Sequence, residues 1–439
     1  GPTILVTCCI RGTTGSYTLE QMNRSRTLLR RPTVFGSRRR TGLTTGACAV
    51  VAALAVGLGG GLGAGTAAAD EPEYHSWSGM DVRGYAGPIP ARSGTLIRDV
   101  ALDKKLWVPN TARAQRFLYS TPDVHGKNAV STAAVFVPAG TAPAGGWPVV
   151  AWAHGTTGLG DNCAPSTYPR IPRDTAYLAH WLKQGYAIVA TDYVGLGTPG
   201  LMSYLNGPTE AHSIVDSVKA ARQLGLPLAR KWAIVGQSQG AGAALAGARH
   251  ATAFSAGSGL DYRGVVATGT PANIEQIVAL AGPGFPPITL PAALNAYTAY
   301  ILAGFADARP DLDVDGVLTP LGKRVLKQAT ELCYSELSPK MDGVKASAMF
   351  SKPLSSLPNV RAALTEYMGT PYRGYDRPIF LGQGLLDKDV PAPSALSLYA
   401  QMKANNQPVE LHVYPDKDHS GTVLASLKDS TPFVARIMR

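Results

Sequence analysis

Short, largely apolar runs recur along the chain at residues 148–153, 186–190, 232–235, 262–268, 378–382 and 409–414. Between them lie amphipathic stretches at 174–184 and 210–224. In the second, Ile214, Val215, Val218, Ala221 and Leu224 fall at helical spacing. Apolar strands alternating with helices predict an α/β fold, a mostly parallel central sheet with helices on both faces. Ahead of this region, the β-rich runs 116–120 and 129–137 flank a polar stretch at 123–128, which predicts an antiparallel hairpin.

The rhythm breaks from Pro271 to Asp376. This region is punctuated by Pro283, Pro286, Pro287 and Pro291, and its apolar patterns at 294–305 and 321–333 are helical. It reads as a helical cap inserted into the sheet domain, with a second independent domain as the alternative. The expected organisation is an irregular leader at 70–110, a first part of the core at 111–273, the cap at 274–376 and a second part of the core at 377–439.

Residues 1–69 read as an export signal. Arg30, Arg31 and Arg38 to Arg40 supply a positive region, residues 46–58 are apolar and uncharged, and Ala67, Ala68 and Ala69 precede Asp70. Cleavage is expected near Ala69. The run Gly59 to Gly61 interrupts the apolar stretch before the roughly 18 residues that a membrane span needs. Met22 is a candidate start, and Ser37-Arg38-Arg39 leaves twin-Arg and general export both open.

Charge changes little once the signal is set aside. The chain carries 41 Lys+Arg and 30 Asp+Glu, a net of +11, and eight Arg and one Glu lie in residues 1–69. The remaining 33 Lys+Arg and 29 Asp+Glu leave +4, with no basic stripe interleaved with aromatics, so no nucleic-acid partner is expected. Cys163 and Cys333 alone remain after cleavage, and in an oxidising compartment they are expected to form one disulfide tying cap to body. These two Cys and the scattered His lack metal-ligand spacing, so no metal is expected.

The chemistry centres on Gly236-Gln237-Ser238-Gln239-Gly240, set between the apolar run at 232–235 and an Ala-rich helix pattern. Strand, sharp turn and helix start make a nucleophile elbow, which lifts a Ser hydroxyl clear of the sheet edge. Ser238 is the candidate nucleophile. A Ser hydroxyl needs a His base, and the base needs a carboxylate to fix its tautomer. Both should follow in chain order on the loops after the last two strands. Asp387 is chosen over Asp389 because it comes first after its strand. His419 is chosen over His412, which lies mid-strand. Backbone N–H groups of Gln239 and Thr156 are the candidate oxyanion donors. His154 is expected to be structural. Leu294, Tyr297, Tyr300, Ile301 and Phe305 on the first cap helix are candidate acyl contacts, with cap packing as the competing role.

The stretches Ala153 to Gly158, Cys163 to Ser166, Asp192 to Gly197, Gly236 to Gly240, Gly384 to Pro391 and Asp418-His419 together resemble the secretory lipase family of α/β-hydrolases. The likeness runs through most of residues 115–439. It implies the α/β-hydrolase fold, a helical lid between the sixth strand and the acid, and ester hydrolysis without a cofactor. Gln237 departs from the His or Tyr commoner before the nucleophile, a change expected to affect packing only. The reading is a secreted serine ester hydrolase, a lipase or carboxylesterase acting as a monomer on small-molecule or lipid esters. It would work without membrane insertion, and action at a lipid–water interface is left open. The rival readings are a secreted serine peptidase of the same fold and a non-catalytic binding module.

Overall fold

The computed structural model describes residues 74–439 and, in a separate N-terminal unit, the two antiparallel strands Val6–Ile10 and Thr13–Tyr17. The predicted signal features at Arg30 to Ala69 lie outside the described residues. From Tyr74 onward the strands are β1 (Leu96–Ala101), β2 (Thr111–Pro122), β3 (Asn128–Pro138), β4 (Trp147–Ala153), β5 (Ala187–Thr191), β6 (Leu228–Gln237), β7 (Asp261–Thr268), β8 (Ile379–Gly384) and β9 (Val409–Tyr414). They form one sheet in the order β9-β8-β7-β6-β4-β5-β3-β2-β1. Strands β4 to β9 pair in parallel, whereas β1, β2 and β3 join antiparallel at one side.

The sheet is buried on both faces because successive side chains point to opposite sides. In β4, Val149, Ala151 and Ala153 enter one core while Val150 and Trp152 enter the other. Helices α2 (Gly207–Ala221) and α3 (Gln239–Phe254) cover the first face through Ile214, Val215, Val218, Leu245 and Ala248. The second face is covered by α1 (Pro172–Lys183) and a C-terminal helix (Leu427–Ile437), through Tyr177, Leu178, Trp181, Phe433 and Val434. Trp152 and Trp181 are among the largest fully buried side chains, and truncating either would cost about 3–5 kcal/mol. The edge strand β9 is mostly half-buried, with Glu410 and His412 reaching Arg436 and Asp429.

Part of the stretch expected to be irregular is ordered as β1. Leu96–Ala101 pairs with β2 at the sheet edge, carrying Arg98 and Asp99 exposed. Its surroundings, rich in Gly, Pro and polar residues, hide it from a pattern reading. Charges on so short an edge also discourage pairing with another chain.

Between β7 and β8 the chain is helical: α4 (Glu275–Val278), α5 (Ala292–Ala308), α6 (Pro320–Glu331), α7 (Tyr334–Lys340) and α8 (Val360–Met368). Tyr300, Leu302, Phe305, Leu364 and Tyr367 share the first core with α2 and α3. Helix α6 starts at an N-cap, Thr319, whose hydroxyl accepts from Gly322 N–H, with Pro320 following. It buries Val325, Leu326 and Ala329 and exposes Lys323, Arg324 and Lys327.

This segment is fastened to the loop after β4. Cys163 is bonded to Cys333, Tyr334 N–H donates to Thr157 O at 2.9 Å, and Gly158 bridges Cys333. A Cβ on Gly160 would stand 2.1 Å from Glu331 O, so only glycine admits this approach. After β8 come α9 (Ala392–Ala404) and, beyond β9, α10 (His419–Ala425) and α11 (Leu427–Ile437). No helix among the described residues is long and apolar enough to cross a membrane.

Beneath α3, the Glu210 carboxyl is buried and accepts from Gln239 Nε2 at 2.9 Å. Burial pushes its pKa up to about 8, against the hydrogen bonds from Gln239 and the Leu205 backbone.

These contacts set two expectations for stability. The disulfide spans 170 residues, for which the chain-entropy account gives an upper value of about 5 kcal/mol. Cys333→Ser should therefore lower the unfolding midpoint, read by calorimetry with and without reductant. An unchanged midpoint on reduction would contradict the fastening role. For Glu210, the folded pKa lies above the unfolded one, so its stabilising protonated state is complete below about pH 4.5 and lost as pH rises towards 8. Glu210→Gln, which keeps an acceptor for Gln239, should flatten the decline of the melting temperature across that window.

Candidate active site

Strand β6 runs from Leu228 to Gln237, and Ser238 follows with φ 57° and ψ −123° before α3 begins. A positive φ at a non-glycine residue is strained, and the surroundings hold it there. Ser238 N–H donates to Thr268 O at 2.9 Å on the neighbouring strand. The flanking glycines are required by space. A Cβ on Gly236 would lie 2.0 Å from Gly240 O, and one on Gly240 would lie 1.9 Å from Ala153 O.

The loop after β8 carries Asp387 and the turn after β9 carries His419. Asp387 Oδ1 accepts the backbone N–H groups of Asp389 at 3.0 Å and Val390 at 2.8 Å. Its Oδ2 accepts from His419 Nδ1 at 2.6 Å and from Gln383 Nε2 at 3.3 Å. His419 opens α10, which Asp418 caps by accepting from Gly421 N–H at 2.7 Å. The structure thus brings Asp387, not Asp389, to His419. His412 stacks on Phe380 and pairs with Glu410 at 3.1 Å on the edge strand.

Ser238 and His419 line one cavity of about 270 Å³, together with Thr156. Among the described residues, neither Gln239 N–H nor Thr156 N–H is used in a hydrogen bond. Gln239 is the first residue of α3, where the helix dipole adds to its N–H. The Thr156 hydroxyl meets Tyr204 OH at 2.6 Å. Beside it His154 is buried, with Nδ1 2.7 Å from Gly155 O and Nε2 3.2 Å from Asp192 O. Burial pushes the His154 pKa down, so the ring stays neutral and props the loop. A hydroxyl, an imidazole oriented by a carboxylate, and two free N–H donors can together support acyl transfer.

The expected acyl contacts need correction. Of Leu294, Tyr297, Tyr300, Ile301 and Phe305, the cavity takes only Tyr297. Tyr300 packs on Tyr204, Phe305 on Tyr367, Ile301 is buried in the cap, and Leu294 lies half-buried off the cavity. Helix α5 is apolar on nearly every side, so its spacing selects no face. Tyr168, Tyr334, Arg170, Arg173 and Asp389 also line the cavity, beside Pro165 and Ile171. Tyr297 and Tyr334 stack at 5.5 Å. Gln237, Arg173 and Ser420 also belong to the site. Arg173 lies in the first turn of α1, where the sequence alone does not distinguish it from an ordinary solvated charge. Among the described residues, no group of three or more His, Cys, Asp or Glu is arranged to hold a metal ion.

Two family models match parts of the chain. The one described as Secretory lipase matches residues 166–356, and the one described as Prolyl oligopeptidase family matches residues 341–436. No curated protein matches. Among solved structures, Candida antarctica lipase A in its closed state aligns with a TM-score of 0.65 at 19% identity, covering 85% of this chain and 87% of that one. The rice cell wall degrading esterase LipA from Xanthomonas oryzae aligns with 0.64 at 21% identity, over 79% of this chain and 98% of that one. A putative hydrolase from Legionella pneumophila aligns with 0.64 at 19% identity, over 78% and 98%. At such identities the structural likeness speaks for the fold, and the family match adds a similarity over residues 166–356. The chain has the α/β-hydrolase fold, and over residues 166–356 it is similar to the secretory lipases.

Proposed function

We propose that this protein is an exported serine ester hydrolase, a lipase or carboxylesterase. The observation that carries the reading is the 2.6 Å contact between Asp387 and His419, which lines one cavity together with Ser238. Ser238 Oγ gives its proton to His419 Nε2 as it bonds to the ester carbonyl carbon. The carbonyl oxygen becomes an oxyanion held by the N–H groups of Gln239 and Thr156. The bond to the alcohol oxygen then breaks as His419 returns the proton to that oxygen, leaving the acyl group on Ser238. Water, losing its proton to His419, cleaves the acyl-enzyme to the carboxylic acid and restores the Ser238 hydroxyl.

The inserted segment 274–376 acts as a cap, supplying Tyr297 and Tyr334 to the cavity. A volume of about 270 Å³ lies just below the range usual for drug-sized ligands and suits a short or aromatic acyl group. Export agrees with the family match and with the disulfide, which belongs in an oxidising compartment. The substrate is a small-molecule or lipid ester, taken up by a monomer. A serine peptidase is the rival reading, favoured by the match over residues 341–436, which contain Asp387 and His419.

A fluorophosphonate should label the purified protein once per chain, at Ser238, and Ser238→Ala should abolish labelling together with hydrolysis of p-nitrophenyl esters. Cleavage of fluorogenic peptides in preference to esters would transfer the assignment to the peptidase reading. Asp387→Asn should lower kcat on the order of 10³-fold. The two backbone N–H groups keep the oxygen of the new amide, so its NH₂ faces the ring and favours the wrong tautomer. Asp389→Asn should cost under about tenfold, since its carboxylate does not meet His419. The reverse ranking would overturn the choice of acid.

A further inference from the structure

Gln237, just before Ser238, is more than packing. Its side chain is buried between two partners: Oε1 lies 3.0 Å from Arg173 Nη2, and Nε2 lies 3.1 Å from His419 Nε2. Arg173 is itself anchored, with Nε donating to Asp174 Oδ1 at 2.9 Å and Nη1 to Ser420 Oγ at 3.3 Å. A guanidinium only donates, so the Gln237 oxygen must face Arg173 and the amide cannot turn over. Its NH₂, also only a donor, must then face His419. The His419 Nε2 atom has to offer a lone pair, which puts the ring proton on Nδ1, where Asp387 accepts it.

Donation therefore runs one way, from Arg173 through Gln237 and His419 to Asp387. We infer that Gln237, oriented by Arg173, is a positioning residue that sets the His419 tautomer from the Nε2 side, independently of Asp387. The inference rests on the reading of His419 as the base. It adds a second consequence. Among the described residues Ser238 Oγ makes no hydrogen bond, and the lone pair that must take its proton is held by Gln237. Ser238 and Gln237 thus share one acceptor, and the Gln237 NH₂ must yield as the Ser238 proton arrives. The charged groups at the site are Asp387 on the Nδ1 side of the ring, Arg173 on the amide with Asp174 as its partner on α1, and Arg170 and Asp389 in the cavity lining. None but Asp387 contacts the ring directly.

A cycle of variants separates this role from packing. In Asp387→Asn both neighbours of His419 are donors, and the ring can satisfy only one. Gln237 then opposes the wrong tautomer that the new amide demands. Removing Gln237 as well should leave that tautomer unopposed. Three chains would be compared with wild type: Asp387→Asn, Gln237→Leu and the double variant, each with its melting curve. With ¹⁵N-labelled histidine at a pH where His419 is neutral, the wild type should show Nδ1–H. Asp387→Asn should show a mixture, and the double variant should show Nε2–H. The loss in kcat from Asp387→Asn should be at least tenfold larger in the Gln237→Leu background. Arg173→Met, which frees the amide to turn, should reproduce that enlargement.

Equal losses in both backgrounds, or a His419 already wholly Nε2–H in Asp387→Asn alone, would overturn the inference. Failure of the ester-hydrolase reading looks different. It would leave activity independent of Ser238, while the nitrogen spectra still report who sets the tautomer.

Discussion

The architecture depends on one close contact, where the backbones of β6, α3 and β4 meet around Gly236 and Gly240. A side chain on either glycine would overlap a carbonyl oxygen, at 2.0 and 1.9 Å. Because nothing intervenes, the chain turns from strand to helix at a single residue, and Ser238 takes a conformation that costs about 1–3 kcal/mol. Neighbouring strands meet that cost. Thr268 O on β7 accepts the Ser238 N–H, and Ala153 at the end of β4 abuts Gly240. The elbow is thus built by three adjacent parallel strands, which explains why its motif needs that sheet around it.

A parallel sheet brings the C-terminal ends of distant strands to one edge. Gln237, at the end of β6, meets a His 182 positions later because β8 and β9 end beside β7 at that edge. The loops there are held by buried polar contacts. Asp192, after β5, accepts Ser166 N–H at 3.0 Å and the hydroxyls of Ser166 and Thr132. Two motifs separated in sequence, Cys163 to Ser166 and Asp192 to Gly197, are therefore halves of one junction. A buried carboxylate so fully paired is stable, and removing its partners would strand it.

The same junction couples the helical segment to the loop after β4, which carries Thr156. Cys163 leads into Ser166 on one side and is bonded to Cys333 on the other, while Tyr334 donates to Thr157 next to Thr156. Seating of the cap and placement of the Thr156 N–H are thereby one mechanical problem. His154 and Tyr204 brace the other side of this loop. Among the described residues the network leaves the Thr156 and Gln239 N–H groups without a hydrogen-bond acceptor, as the proposed oxyanion site requires.

The sequence alone determined what local chemistry and period can express. Apolar runs of strand length, helical spacing in α2 and α6, and glycines around Ser238 each state a local requirement, and the order Ser238, Asp387, His419 follows the order of the strands. The pairing of Cys163 with Cys333 follows from there being no other Cys after residue 69. Tertiary structure decided the rest. Leu96–Ala101 became a strand because β2 offered an open edge, which no local pattern announces. Helix α5, apolar on almost every side, gave no sign that Tyr297 would face the cavity while Tyr300 and Phe305 faced the core. Arg173 and Gln237 carried only the signals of a surface charge and a motif variant. Their meaning depends on which atom faces which, and hydrogen-bond direction exists only once α1, β6 and α10 have been brought within about 3 Å of one another.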